Sequence, residues 1–527
     1  MIYVHIKNEL KQFETDIRDL CLAFFTLQKI TYVFENDTII TCPYDKKVND
    51  VSVLSGETFE PTDIHVKDYY SGKTTGDRLT IKSELKRELY NYLSELTGKT
   101  LLWGTLTGIR PVTIVTKMIE DSVGANADIV GANFRSPRSG ASHELSKITD
   151  DNIRSELKKE YYISDMKADE LINIAHKEIE ILNRPEVKNY KDTYSVYVGV
   201  PFCKSTCLYC SFTSFNIEKF SKYVDTYLAA LEKDFATCMN NVVEANACKA
   251  HSCRGEQREP SQKLTPLTLY IGGGTPTSLD EVAFEKLLSI IDKYVDKKSF
   301  IEYTVEAGRP DTITKEKLLI MKEHGVTRIS INPQSFNQKT LDLIGRKHTV
   351  KDVIDKFHLA RSLGFDNINM DIILGLPNEH LFDVLKTLNG IRKLKPDSFT
   401  VHSLALKRAA RLNFELDSWT KNYYLAGLDR REIDKMFKWS ERLAKHLHLD
   451  PYYLYRQKNM AGNLENVGYA KTGKECIYNI MMMSERHTVY GFGTATTKKI
   501  VYENDGSKRI ESEEGYKSVI DYCKSFI

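Results

Sequence analysis

The stretch VYVGVPFCKSTCLYCSFTSF, residues 196–215, sets Cys203, Cys207 and Cys210 within eight positions, directly after an apolar run with the composition of a buried strand. Structural zinc wants four ligands, commonly two C-x-x-C-like pairs, and no matching pair follows within the next thirty residues. A disulfide framework is disfavoured by the odd number of thiols and by a reducing compartment. Three unrelated buried cysteines are the bland alternative, against which stands the tight spacing on a loop after a strand. Three thiolates suit a 4Fe-4S cluster whose fourth iron keeps a free coordination position.

Outward from this stretch the chain alternates short β-branched runs with amphipathic helices. The runs are Tyr194 to Val200, Leu267 to Ile271, Phe300 to Ala307, Arg328 to Asn332, Asn367 to Leu374 and Ser398 to Leu406. Helical spacing marks segments such as Phe220 to Phe235, and Gly325 and Gly364 signal helix ends. Six strand–helix repeats point to parallel βαβ units and a partial (β/α)6 TIM-like barrel, with chemistry expected at the C-terminal strand ends.

Three regions are expected: an N-terminal α+β accessory domain over 1–185, the barrel over 186–410, and a mostly helical, substrate-capping region over 411–527. Alternating runs such as Thr38 to Cys42 and helical stretches at Leu85 to Leu96 and Met166 to Leu182 occupy the first region, which Asn183-Arg184-Pro185 closes. The polar segments Ser122 to Asn152 and Asn241 to Pro266 are expected to be exposed insertions. The second holds Cys248, His251 and Cys253, taken as stray loop residues rather than ligands.

The 527 residues carry 74 Lys and Arg against 72 Asp and Glu, a net charge of +2. That balance offers no broad footprint for nucleic acid or an anionic membrane. No apolar run reaches the roughly 18 residues of a membrane span. The N-terminus lacks the pattern of a signal peptide, and ten scattered cysteines do not form a small secreted scaffold, so the expected location is cytoplasmic.

Other residues fall where chemistry is expected. Gly272-Gly273-Gly274-Thr275 closes the second run with a turn that lets backbone approach a ligand closely. Glu306 ends the third run, Gln334 sits in INPQSF, Arg346 in LIGRKH, and Asp371 inside the apolar NINMDIILGLP. A carboxylate in a buried strand is costly unless paired or bound. Each alone is as well explained by a structural hydrogen bond; together they form a constellation. Cys476, in GKECIYN, is read as a buried structural thiol in preference to a redox residue.

In order and nearly in spacing, PFC-x-x-x-C-x-YC, GGGTPT, Glu306, PQSF, GRKH and DIILGLP resemble the oxygen-independent coproporphyrinogen III oxidase (dehydrogenase) family of radical S-adenosylmethionine enzymes, in its longer branch. The resemblance covers roughly 200 residues, from Tyr194 to about Leu406. It implies a 4Fe-4S cluster on Cys203, Cys207 and Cys210, and S-adenosylmethionine as cofactor. Gly273, Gly274 and Thr275 would hold the methionine amine, Glu306, Gln334, Arg346 and Asp371 the ribose and carboxylate ends, and backbone near Ala405 the adenine. Tyr197 matches a tyrosine placed near the cluster and is the catalytic candidate.

The implied reaction is oxidative decarboxylation of two porphyrinogen propionates to vinyl groups in heme biosynthesis, with an electron donor of flavodoxin or ferredoxin type. The substrate is a polyanion, so Arg456 and Lys458, and Lys407 and Arg408, are candidates to pair its carboxylates. Two positions depart from the best-studied oxidases: Gly199 stands where they carry His, and Phe212 where they carry a fourth Cys. A heme chaperone in the same family shares Phe at the latter position, which makes heme binding and transfer the alternative activity.

Overall fold

The computed structural model describes residues 2–6, 8–24, 30–34, 62–65, 77–108, 110–127, 149–210, 212, 214–248, 264–405, 430–456, 465–504 and 507–527. The chain divides into two compact units, Met1–Ala175 with Arg456–Asn463, and His176–Tyr455 with Leu464–Ile527. Of the features expected from the sequence, Thr38 to Cys42, His251, Cys253, Lys407, Arg408 and Lys458 lie outside the described residues.

The first unit holds a parallel three-stranded sheet in the order β2-β1-β3, from β1 (Ile2–Ile6), β2 (Ile30–Phe34) and β3 (Thr62–His65). Its longest helix, Arg78–Thr97, starts where the Asp77 side chain accepts the Thr80 amide and stops at Gly98 in the left-handed region, φ 63°. Ile81, Leu85, Leu89 and Leu93 recur every four residues along it and are buried with Val4, Phe13, Ile17 and Leu20.

The second unit is built on one sheet of eleven strands. Its parallel centre comprises β4 (Thr193–Val200), β7 (Thr265–Gly273), β8 (Glu302–Glu306), β9 (Arg328–Ser330), β10 (Ile368–Leu374) and β11 (Ser398–Ser403), adjacent in that order. All six coincide with runs expected from the sequence, and they form the expected partial (β/α)6 barrel. Two short strands, β5 (Phe202–Cys203) and β6 (Phe215–Asn216), pair separately and hold the two ends of the cysteine loop together.

The described residues after 410 carry as much strand as helix, where a mostly helical region was expected. Beside the helices Arg430–His446, Ile477–Ser484 and Val519–Phe526 come β12 (Asp450–Tyr455), β13 (Asn466–Ala470), β14 (Thr488–Gly493), β15 (Thr497–Asn504) and β16 (Ser507–Glu514). They extend both edges of the sheet: β13 runs antiparallel to β11, and β14 parallel to β4. Short strands broken by Gly and polar residues hide this role in the sequence. The two polar segments also differ from expectation, since helix continues to Ala127 on one side and to Cys248 on the other, and helix resumes at Asp150. Cys248 therefore ends a helix.

Alternation along the parallel strands separates two faces. Val196, Val198, Leu269, Ile271, Tyr303, Val305, Met370, Ile372, Phe399 and Val401 are buried and apolar. The opposite set is polar: Ser195 to Thr268 at 2.6 Å, Arg328 to Ser398 at 3.1 Å, Ser398 to Asn369 at 3.0 Å, and Asn369 to Asp371 at 2.8 Å. These cross-strand contacts line the barrel interior with hydrogen-bonding groups.

Candidate active site

The three thiols are held by backbone geometry. Cys203 ends β5, and Cys207 and Cys210 are joined through the Cys210 amide, 3.1 Å from the Cys207 carbonyl. The Gly274 and Thr275 amides donate to the Val200 and Phe202 carbonyls at 2.7 and 2.8 Å, and Thr275 Oγ1 lies 3.4 Å from Cys203 Sγ. Glycine is required here: Gly273 has φ +102°, and a Cβ on Gly274 would meet Phe202 O at 2.6 Å. The turn expected to approach a ligand thus also roots the cysteine loop, and two of its amides are engaged by the protein itself.

Cys203 and Cys207 are buried and Cys210 is half-buried. Burial, and secondarily the Cys207 thiol, pushes Cys210 up to about 11. Burial likewise raises Cys203, against a weaker pull from Thr275. Among the described residues no group of three or more His, Cys, Asp or Glu converges on a single ion. A cluster does not need such convergence, because each thiolate binds its own iron.

Arg346 clamps the same loop. Its Nη1 donates to the Gly308 and Asn332 carbonyls at 2.8 and 3.0 Å, and its Nη2 to the Tyr209 hydroxyl at 3.0 Å. Arg309 is a second buried guanidinium there, with Nη1 2.8 Å from Ser205 O and 3.9 Å from Cys207 Sγ. Sequence reasoning passed over Arg309 and Tyr209; the signal for Arg309 was its place in EAGRP, three residues beyond the end of β8.

Deeper in the barrel, Glu306 and Asp371 face one another's fields with opposite outcomes. Burial raises Glu306 to about 7, although Tyr270 donates its hydroxyl to Oε1 at 2.6 Å. Burial also acts to raise Asp371, but His402, Asn369 and Thr400 outweigh it and hold the carboxyl below its ordinary value. His402 Nε2 is 3.7 Å from Asp371 Oδ1, and its Nδ1 is 3.4 Å from the Tyr455 hydroxyl. Neither His402 nor Tyr270 was singled out in the sequence, yet each sits on the polar alternation of its strand.

Gln334 adopts φ 63°, rare for a non-glycine residue, with its amide bonded to Asp371 O at 3.0 Å. Its side-chain Oε1 is buried without a hydrogen-bond partner. A strained, buried acceptor is what a ligand donor would satisfy.

Tyr197 stacks on Tyr270 and Tyr478, with ring centroids 5.9 Å apart in both cases. Tyr478 reaches that stack because Glu302, on β8, accepts the Ile477 and Tyr478 amides at 2.7 and 3.2 Å and so caps the helix Ile477–Ser484. Cys476 lies 3.4 Å from the Glu302 carboxyl, fully buried, and burial pushes its thiol far up, as expected of a structural thiol. Ala405 follows β11, half-buried, just past Leu404, whose amide bonds to Leu374 O at 3.0 Å.

Two positions singled out in the sequence make close contacts within the protein. Arg456 belongs to the first unit, is 3% exposed, stacks 4.9 Å from the Trp103 ring and donates to Leu106 O. That contact engages Nη1 of the guanidinium. Gly199 is closely covered: a Cβ would meet Thr494 O at 2.3 Å and Thr496 Cγ2 at 2.6 Å. The segment joining β14 to β15 fills the space a side chain would need. Phe212 is 65% exposed.

Residues 249–390 match the radical SAM superfamily. The oxygen-independent coproporphyrinogen-III oxidase-like protein HemZ of Bacillus subtilis is 38% identical over 427 residues, which cover 81% of this chain and 75% of HemZ. The heme chaperone HemW of the same organism is 37% identical over 214 residues, covering 40% of this chain and 51% of the chaperone. Among solved structures, coproporphyrinogen III oxidase (HemN) from Escherichia coli is similar with a TM-score of 0.47 and 19% identity, over 63% of this chain and 69% of that one. No helix among the described residues is long and apolar enough to cross a membrane. The chain belongs to the oxygen-independent coproporphyrinogen III oxidase-like family of radical SAM enzymes, which use a 4Fe-4S cluster and S-adenosylmethionine and whose relatives are named for heme metabolism.

Proposed function

We propose that this chain converts two propionate side chains of coproporphyrinogen III to vinyl groups without oxygen, yielding protoporphyrinogen IX. The observation that carries this reading is 38% identity to an oxidase-like protein over 75% of that protein's length. For each vinyl, one hydrogen leaves the carbon β to the carboxylate, carbon dioxide is lost, and one electron passes to an acceptor. When bound, the cluster and S-adenosylmethionine supply the radical that takes that hydrogen, after an electron arrives from a donor of flavodoxin or ferredoxin type.

The residues fit these groups. Cys203, Cys207 and Cys210 would hold three irons, and the buried, unmatched Gln334 Oε1 would accept from a ribose hydroxyl. Asp371, within β10, stays ionised beside His402 as a fixed acceptor, while Glu306 can carry a proton near neutrality. An ammonium is a donor and seeks carbonyls, so the engaged amides of Gly274 and Thr275 do not count against a methionine amine at that turn. Arg346 would contribute positive charge while its donors hold the cysteine loop, and backbone at Ala405 would meet the adenine. Tyr197, within the Tyr270–Tyr478 stack, would wall the reacting space.

A second reading, heme binding and transfer, is favoured by Phe212 at the fourth-cysteine position and by 37% identity to a heme chaperone across its matched half. One experiment separates them. Anaerobically reconstituted protein receives reductant, S-adenosylmethionine and coproporphyrinogen III, and the products are assayed for protoporphyrinogen and 5′-deoxyadenosine. Both are expected. Cofactor cleavage without vinyl product, together with stoichiometric heme binding, would reject the oxidase reading.

A further inference from the structure

We propose that Arg309 sets the reduction potential of the cluster by donating to sulfur at Cys207, a role that rests on the reading of Cys203, Cys207 and Cys210 as cluster ligands. The guanidinium is 2% exposed. Nη1 donates to Ser205 O and Ser205 Oγ, both at 2.8 Å, and lies 3.9 Å from Cys207 Sγ. Nε reaches Asp311 Oδ1 at 3.3 Å. Nη2 is buried with no hydrogen-bond partner. A guanidinium has five donors in a planar fork, so once the Nη1 side is fixed on the cysteine loop, the Nη2 donors are fixed in direction too. A buried donor without an acceptor is costly, and an anionic, sulfur-rich group on this loop would satisfy it.

Charge points the same way. Arg309 and Lys204 share one carboxylate, Asp311, with Lys204 Nζ 3.6 Å from Oδ2. Two cations against one anion leave net positive charge beside Cys207. Hydrogen bonds and positive charge at cluster sulfurs favour the reduced, more negative state and so raise the potential. Arg346 adds positive charge near Cys207 and Cys210, but its hydrogen bonds go to Tyr209, Gly308 and Asn332.

A loop-holding role alone would alter how much cluster is retained but not its potential. The test is therefore a redox titration, followed by electron paramagnetic resonance, of anaerobically reconstituted full-length wild type, Arg309→Met and Arg309→Lys, without S-adenosylmethionine. At the wild-type midpoint, the reduced-to-oxidised ratio is expected to fall about tenfold in Arg309→Met, which is about 59 mV for one electron. Arg309→Lys keeps the charge but loses the fork, and should fall between. An unchanged midpoint in Arg309→Met, whatever its cluster content, overturns the proposal. So does failure of both variants to hold cluster while their circular dichroism stays native, which would leave Arg309 as loop support. If wild type itself takes up no cluster, the ligand assignment fails, and this inference with it.

Discussion

Glu306 keeps a proton near neutral pH because it is buried beside another carboxylate, and only one strong donor, the Tyr270 hydroxyl, favours its charged form. The same geometry requires glycine at 272, where a Cβ would meet the Glu306 carboxyl carbon at 2.9 Å. Removing the donor in Tyr270→Phe should raise the carboxyl further above about 7. The protonated carboxyl stretch in the infrared, followed as pH rises, should then persist to higher pH in Tyr270→Phe than in wild type. The sign for stability follows. Below the ordinary value of 4.5 the group contributes fully, and that contribution is lost as pH rises through about 7. An unchanged infrared titration would mean that Tyr270 does not govern this proton.

At the scale of elements, the parallel strands and their helices were legible because β-branched runs and 3.6-residue periodicity are local signals. Cys203, Cys207, Cys210, Glu306 and Gln334 were legible as strand-end or loop residues that a core does not need, and Asp371 as a carboxylate inside an apolar run. The strands β12 to β16 were not: β13 and β14 join the sheet through β11 and β4, partners remote in sequence, and β12, β15 and β16 then add to them. His402 and Arg309 were missed for a related reason: one polar residue on a strand or loop announces nothing until topology sets it against Asp371 or Cys207. Gly199 shows how an element determines a residue. The segment Thr494 to Thr496 lies on it, with the Thr494 amide 3.1 Å from Gly199 O. Gly199→Ala should destabilise the fold by about 1–3 kcal/mol, the usual cost of overpacking, measurable by urea denaturation. Gly199→His, with a larger side chain in the same space, should be worse. A neutral Gly199→Ala would show that this segment yields readily.

For the molecule as a whole, folding buries groups in their neutral forms, and their sum shapes stability against pH. His487, just before β14, lies 2.9 Å from Ser195 Oγ on β4, and burial lowers it to about 4. Burial lowers His348 to about 3 and raises Glu306 and Glu379 each to about 7. Between pH 4.5 and 6.5, the unfolded chain binds two protons at the histidines and the folded chain two at the glutamates, so 2 − 2 = 0. These four groups then give no slope. Below 4.5 the unfolded chain binds all four while the folded chain still binds two, and stability falls with pH. In His487→Gln the balance over the same window becomes 1 − 2 = −1. Relative to wild type, the variant should lose about 1.4 kcal/mol for each unit of rising pH between 4.5 and 6.5, on top of any constant loss from the Ser195 contact. Urea denaturation of both proteins at three pH values within that window measures the difference; parallel lines would mean that His487 is charged in the folded chain and that packing β14 against β4 does not exclude a proton.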